Sequence, residues 1–178
     1  MSSPTSRTLV AGIGNIFLGD DGFGVEVVQR LDPDRLRDDV DVADYGIRGV
    51  HLAYELLDGR YDTLVLVDAV PLGDEPPGTV VVIDASGRAG AVPAGSVDAH
   101  SMSPDVVLGA LHGLGGDIER VLVVGCQPAV IDERMELSAS VAAAVPVAVE
   151  RLVELLGTPS SRDPSAPERR NQWTPSKC

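Results

Sequence analysis

Three side chains of this sequence, Asp21, Asp68 and His100, have the chemistry to hold a divalent cation. Asp21 lies in Gly19-Asp20-Asp21-Gly22, after the apolar run Thr8-Leu9-Val10-Ala11 and the break Gly12-Ile13-Gly14-Asn15. Asp68 ends a second apolar run, Thr63-Leu64-Val65-Leu66-Val67, and His100 lies in the loop-like stretch Asp98-Ala99-His100-Ser101. Each is read at or near the carboxyl end of a strand, and in an open α/β sheet those ends share one crevice. Two carboxylates and an imidazole make a hard-to-borderline ligand set, suited to nickel, zinc or a similar ion. Three protein ligands leave positions open for water or substrate.

Taken singly, each residue has a plainer reading. Asp20 or Asp21 serves equally well as a cap and dipole partner for the helix that follows. Asp68 fits a solvated loop and His100 a surface histidine. His51 and His112 read as structural or solvated. The Asn15 amide either orients Asp21, holds a substrate carbonyl, or simply makes a turn. Gly46 and Arg48 lie in Tyr45-Gly46-Ile47-Arg48-Gly49, read either as a surface turn or as a loop whose arginine meets a substrate carboxylate. Cys126 is the rival nucleophile, but it ends a buried strand, where cysteine behaves as a small hydrophobe. Ser101 and Ser103 flank His100 without a G-x-S-x-G elbow.

The elements that must position these groups alternate between strand and helix. Thr8–Ala11 is a strand, and Phe23, Val27, Val28 and Leu31 share one face of a helix that Pro33 stops. Residues 40–44 alternate as a second strand, and 50–57 form a short helix. Residues 63–67 are a continuous apolar strand, as expected where both sheet faces are covered. Residues 78–84 follow too closely for a crossover helix, which predicts an antiparallel edge strand or hairpin. Residues 85–97 read as loop, 104–114 as a helix with Pro104 in its first turn and Ser103 as cap. Residues 120–125 are the last strand, and 137–156 a long helix kinked near Pro146, with Gly157 after it. The pattern predicts a single three-layer α/β domain over residues 1–157, a mostly parallel twisted sheet of about five strands with helices on both faces. Residues 158–178 read as a disordered polar tail.

The formal net charge of −13 argues against nucleic acid or an anionic membrane as partner. The sequence lacks the basic region and apolar stretch of a signal peptide, and lacks the ~20-residue apolar run that spans a bilayer. Cys126 and Cys178 do not form a disulfide framework, so a reducing cytoplasm is expected. Nucleotide binding is disfavoured: Phe17 stands where GxGxxG requires its third glycine, and Asp20-Asp21 puts negative charge where a phosphate would sit.

The motif Gly12-Ile13-Gly14-Asn15 with Gly19-Asp20-Asp21-Gly22-Phe23-Gly24-Val25 resembles the opening motif of the [NiFe]-hydrogenase maturation endopeptidases. Three later segments agree in order: Leu66-Val67-Asp68-Ala69, Asp98-Ala99-His100-Ser101-Met102-Ser103-Pro104 and Val124-Gly125-Cys126-Gln127-Pro128. The resemblance covers about Thr8 to Leu156. It implies removal of a C-terminal extension from a nickel-loaded [NiFe]-hydrogenase large-subunit precursor. Asp21, Asp68 and His100 match the family's metal-contacting positions, Asp21 where the family has Asp or Glu. The nickel is implied to arrive with the substrate, with zinc or cadmium as substitutes in crystals and no organic cofactor. Tyr45, Ile47 and Arg48 depart from the family's commoner Gly-Gly-Thr pattern. The reading from another class is a non-catalytic metal- or nucleotide-sensing α/β module.

Overall fold

The structure, a computed structural model, describes residues 6–87 and 103–157. Five strands, β1 (Thr8–Ile13), β2 (Val40–Gly46), β3 (Thr63–Ala69), β4 (Val80–Asp84) and β5 (Arg120–Cys126), form one sheet in the order β2-β1-β3-β5-β4. The first three and β5 run parallel. The short link after β3 does yield an antiparallel edge strand, but not a hairpin: β4 pairs with β5, and β5 lies between β4 and β3.

Four helices cover the sheet: α1 (Phe23–Arg30), α2 (Gly49–Leu56), α3 (Pro104–Gly113) and α4 (Ala139–Leu156). Strand alternation splits the core into two. Val10, Val65, Val67, Leu122 and Val124 pack with α1 and α4. Leu9, Ala11, Leu64, Leu66 and Val123 pack with α2 and α3 on the other face. The central strands are apolar on both sides because both sides are buried, which gives the three-layer α/β sandwich that the sequence predicts.

Two boundaries differ from expectation. α4 is one continuous helix through Pro146, whose side lies toward solvent. Ala142, whose carbonyl loses its helical donor to the proline, is on the same exposed side, so the proline is tolerated. Ser103 occupies the N-cap of α3 but makes no side-chain cap bond. Residues 88–97 and the 158–178 tail lie outside the described residues. Among the described residues no helix is long and apolar enough to cross a membrane.

Glycine sets how α1 meets the sheet. A Cβ on Gly24 would stand 2.0 Å from the Val67 carbonyl oxygen and 2.4 Å from that of Ile13. A Cβ on Gly12 would stand 2.5 Å from the Gly24 carbonyl oxygen. Helix backbone therefore rests directly on the ends of β1 and β3. A 3-10 turn, Gly19–Gly22, leads into α1 from above those ends.

Asp20 holds that turn. It is fully buried, and its carboxylate accepts the N–H groups of Ala129 (2.8 Å), Val130 (2.9 Å) and Ser138 (2.6 Å) and the Ser138 hydroxyl (2.9 Å). Burial opposes its charge, but these four donors outweigh burial and hold its pKa below the usual carboxylate value. Neither aspartate caps α1, whose N-cap is Gly22 without a side-chain bond.

Two outcomes are expected. Gly24→Ala should cost roughly 1–3 kcal/mol or more in urea unfolding, because the clash is with backbone that cannot rotate away. Asp20→Ala strands buried donors and should cost at least about 3 kcal/mol, at roughly 1–3 kcal/mol per donor. Because the folded pKa of Asp20 is depressed, its contribution is complete above the unperturbed value of 3.8 and disappears as pH falls through the lower folded value. The stability gap between wild type and Asp20→Ala, measured by denaturant titration from pH 7 downward, should therefore narrow only in strong acid.

Candidate active site

β1 ends at Ile13, and Gly14 turns the chain with φ +125°, a conformation that favours glycine. Its N–H donates to the Gly46 carbonyl at the end of β2, 3.0 Å away. A Cβ on Gly14 would lie 1.9 Å from the Asp21 carbonyl oxygen and 3.7 Å from Asp68 Oδ1. Gly14 is therefore the floor over which the Asp21 turn and the Asp68 side chain meet.

Asp21 is oriented by main chain: its Oδ2 accepts the Asn15 N–H at 2.7 Å. The Asn15 side chain does something else, its Oδ1 accepting the Phe17 N–H at 2.9 Å in an Asx turn. The expected contact between the Asn15 amide and Asp21 is thus made by backbone, and the amide oxygen shapes the loop. Asn15 does not take a left-handed conformation, since no described non-glycine residue has positive φ.

Asp68 lies inside β3 and is only 2% exposed, whereas its place at the end of a run suggested a solvated strand end. Its Oδ1 is buried and has no hydrogen-bond partner among the described residues. Burial raises its pKa well above the ordinary value, the Asp21 charge raises it further, and the Ala69 N–H opposes both. Burial also raises Asp21, against the Asn15 N–H. An unsatisfied buried carboxylate oxygen beside a second carboxylate lacks a proton or a cation. The pair therefore fits a metal ion by the chemistry of its donors. Among the described residues no group of three His, Cys, Asp or Glu converges. His100, the third member of the expected set, lies outside the described residues, as does Ser101.

The rest of the expected site divides. Gly46 has φ +52° and sits beside the Gly14 carbonyl. The Arg48 guanidinium donates to the carbonyls of Asp44 (3.0 Å) and Tyr45 (3.3 Å), which fastens the turn between β2 and α2. Those bonds match the turn reading of the loop. His51 and His112 are exposed on α2 and α3. Cys126 is fully buried, and burial, followed by the Asp20 charge and against the Gly78 N–H, pushes its thiol up to about 11. A thiol that stays protonated at neutral pH is the opposite of an activated nucleophile. Sequence reasoning missed the clamp made by Asp20. The adjacent pair Asp20-Asp21 signals two acids but not which one turns inward, and the clamp's donors lie more than a hundred residues away.

The chain matches the family model described as hydrogenase maturation protease over residues 25–155. A relative from Methanocaldococcus jannaschii is 39% identical, the match covering 80% of this chain and 91% of that one. The hydrogenase expression/formation protein HupD of Rhizobium leguminosarum is 34% identical, over 86% of this chain and 75% of its own. Among solved structures, the hydrogenase maturating endopeptidase HybD from Escherichia coli superposes with a TM-score of 0.66 at 29% identity, over 84% of this chain and 91% of that one. None of these favours a non-catalytic metal- or nucleotide-sensing module. A family match across most of the sandwich, on a fold shared with a solved endopeptidase, means that this chain belongs to the hydrogenase maturation proteases and is a peptidase.

Proposed function

We propose that this peptidase removes the C-terminal extension from a nickel-loaded [NiFe]-hydrogenase large-subunit precursor, and that Asp21, Asp68 and His100 contact the nickel ion the precursor carries. The observation that supports the metal contact is the buried, unpartnered Oδ1 of Asp68 beside Asp21. Nickel enters as part of the substrate, so the site reads whether the precursor is loaded. Asp21, held by the Asn15 N–H, presents a fixed oxygen at the rim, and Asp68 presents one from the sheet. Together they would hold the scissile bond beside the ion. Zinc or cadmium, accepted by the same donors, would serve as structural stand-ins. The free thiol of Cys126 accords with action in a reducing cytoplasm.

Incubation of the purified chain with nickel-loaded and nickel-free precursors tests this reading. Mass spectrometry should show loss of the extension from loaded precursor alone. Asp21→Asn and His100→Ala should slow or abolish that loss while thermal unfolding stays cooperative. Equal cutting of nickel-free precursor would show that the metal is not borne by the substrate.

Asp68 yields a second expectation. Its folded pKa is raised, so between 3.8 and that higher value the folded chain binds more protons than the unfolded one. Stability therefore falls as pH rises through this window. Asp68→Asn removes the penalty and should stabilise the chain by roughly 0.5–2 kcal/mol at neutral pH while processing is lost. The gain should vanish as pH falls toward 3.8, where the carboxyl is protonated in both states. Calorimetric scans across pH, paired with the precursor assay, check both halves.

A further inference from the structure

α2 carries apolar residues on two faces. Leu52, Ala53 and Leu56 are buried against the sheet. Ile47 in the preceding turn is 62% exposed, and Val50 and Tyr54 on the helix are 55% exposed each. Val50 and Tyr54, four residues apart, share one face of α2, and Ile47 stands in the turn just before it, so the three form an exposed apolar stripe along the outer side of the helix. A helix that is apolar on its outer as well as its inner face has something other than water to meet.

The stripe starts at the active site. Ile47 follows Gly46, whose carbonyl is bonded to Gly14, the floor between Asp21 and Asp68. On the other side of Gly14, Phe17 is 59% exposed in the loop that Asn15 shapes. Exposed apolar side chains thus stand on both sides of Gly14: Phe17 on one, and on the other Ile47, with Val50 and Tyr54 following it along α2. A peptide bond brought to Asp21 and Asp68 brings the protein that carries it against this surface.

We infer that the outer face of α2, from Ile47 to Tyr54, is the docking surface for the folded body of the substrate protein, as distinct from the peptide segment that is cut. This rests on the reading of the chain as a peptidase that acts on a metal-bearing protein precursor. The occupant follows from that chemistry. A bound metal ion needs ligands gathered by a folded body, so a peptidase that senses the ion meets that body together with the extension. Only a folded partner presents a second helix or sheet face of matching length, and an apolar groove partner fits an amphipathic helix by burying anchors at i, i+3 and i+7. Contact made there contributes to binding before and during cleavage alike, so it changes KM and leaves kcat alone.

The test compares wild type with Val50→Glu/Tyr54→Glu and with Val82→Glu. Val82 is an exposed apolar residue of β4 on the far edge of the sheet, so it controls for added charge. All three should unfold at the same temperature. The double variant should raise KM for nickel-loaded precursor roughly tenfold or more, as loss of two interface anchors does, with kcat at saturation unchanged. Val82→Glu should keep the wild-type KM. An unchanged KM in the double variant overturns the inference. So does a wild-type dimer, seen by light scattering, that the double variant dissociates without altering KM, because a second copy would then be what covers the stripe. Retention on immobilised loaded precursor separates this inference from the peptidase reading. Wild type that is retained but does not cut, with retention lost in the double variant, keeps the docking surface and sinks the reaction. Wild type that is neither retained nor active sinks both.

Discussion

The close approach of α1 to the ends of β1 and β3 is the constraint on which the rest of this molecule depends. Gly24 leaves no room for a side chain between the helix and the carbonyls of Ile13 and Val67, and Gly12 leaves none beneath Gly24. With the helix seated there, the Gly19–Gly22 turn hangs directly over the strand ends, and Asp21 is carried to Asp68. A helix held off by even a methyl group would keep its own hydrogen bonds. It would also lift the acidic turn away from the sheet, and the two carboxylates would no longer share a site. Close packing makes such spacing all-or-none, since neither backbone has rotamers to yield.

Two neighbouring aspartates then take opposite fates. Asp20 turns inward and is saturated by four donors, so burial costs it little and it fastens the 129–138 segment to the turn. Asp21 is half-buried with one main-chain donor, near a carboxylate whose Oδ1 has none among the described residues. The first is a structural anion whose charge is fully compensated. The second pair is left short of compensation, and a shortage of positive charge in a buried place is a binding capacity. Stability lost at Asp68 is offset by the clamp at Asp20 and by the two cores on either side of the sheet.

Near the strand ends the chain exposes several apolar side chains, although its net charge is strongly negative. A formal charge of −13 keeps general contacts with polyanions unfavourable, while Phe17, Ile47 and Val50 stand exposed near the strand ends. That distribution suits recognition of one shaped, uncharged surface more than capture of any flexible chain. Cys126, the one described cysteine, is sealed in the core.

Much of this was legible in the sequence. Val65 and Val67 alternate with Leu64 and Leu66 without a polar break, which requires a strand covered on both faces, and Pro33 requires an end to α1. Alternating strand and helix patterns specified the fold class, and they put Asp21 and Asp68 near strand ends that the structure brings together. Local pattern could not reveal that β4 passes β3 to pair with β5, that Pro146 leaves α4 unbroken, or that Asp20 and Asp21 point opposite ways. Those outcomes depend on surroundings that local pattern does not carry: an open edge on β5, the solvent-facing side of α4 at Pro146, and the donors of residues 129–138. Periodicity reports which residues must be buried, because burial acts on each side chain wherever it lies. Which buried group meets which is settled only when the layers close, because hydrogen bonds and backbone contacts need particular atoms within a few ångströms.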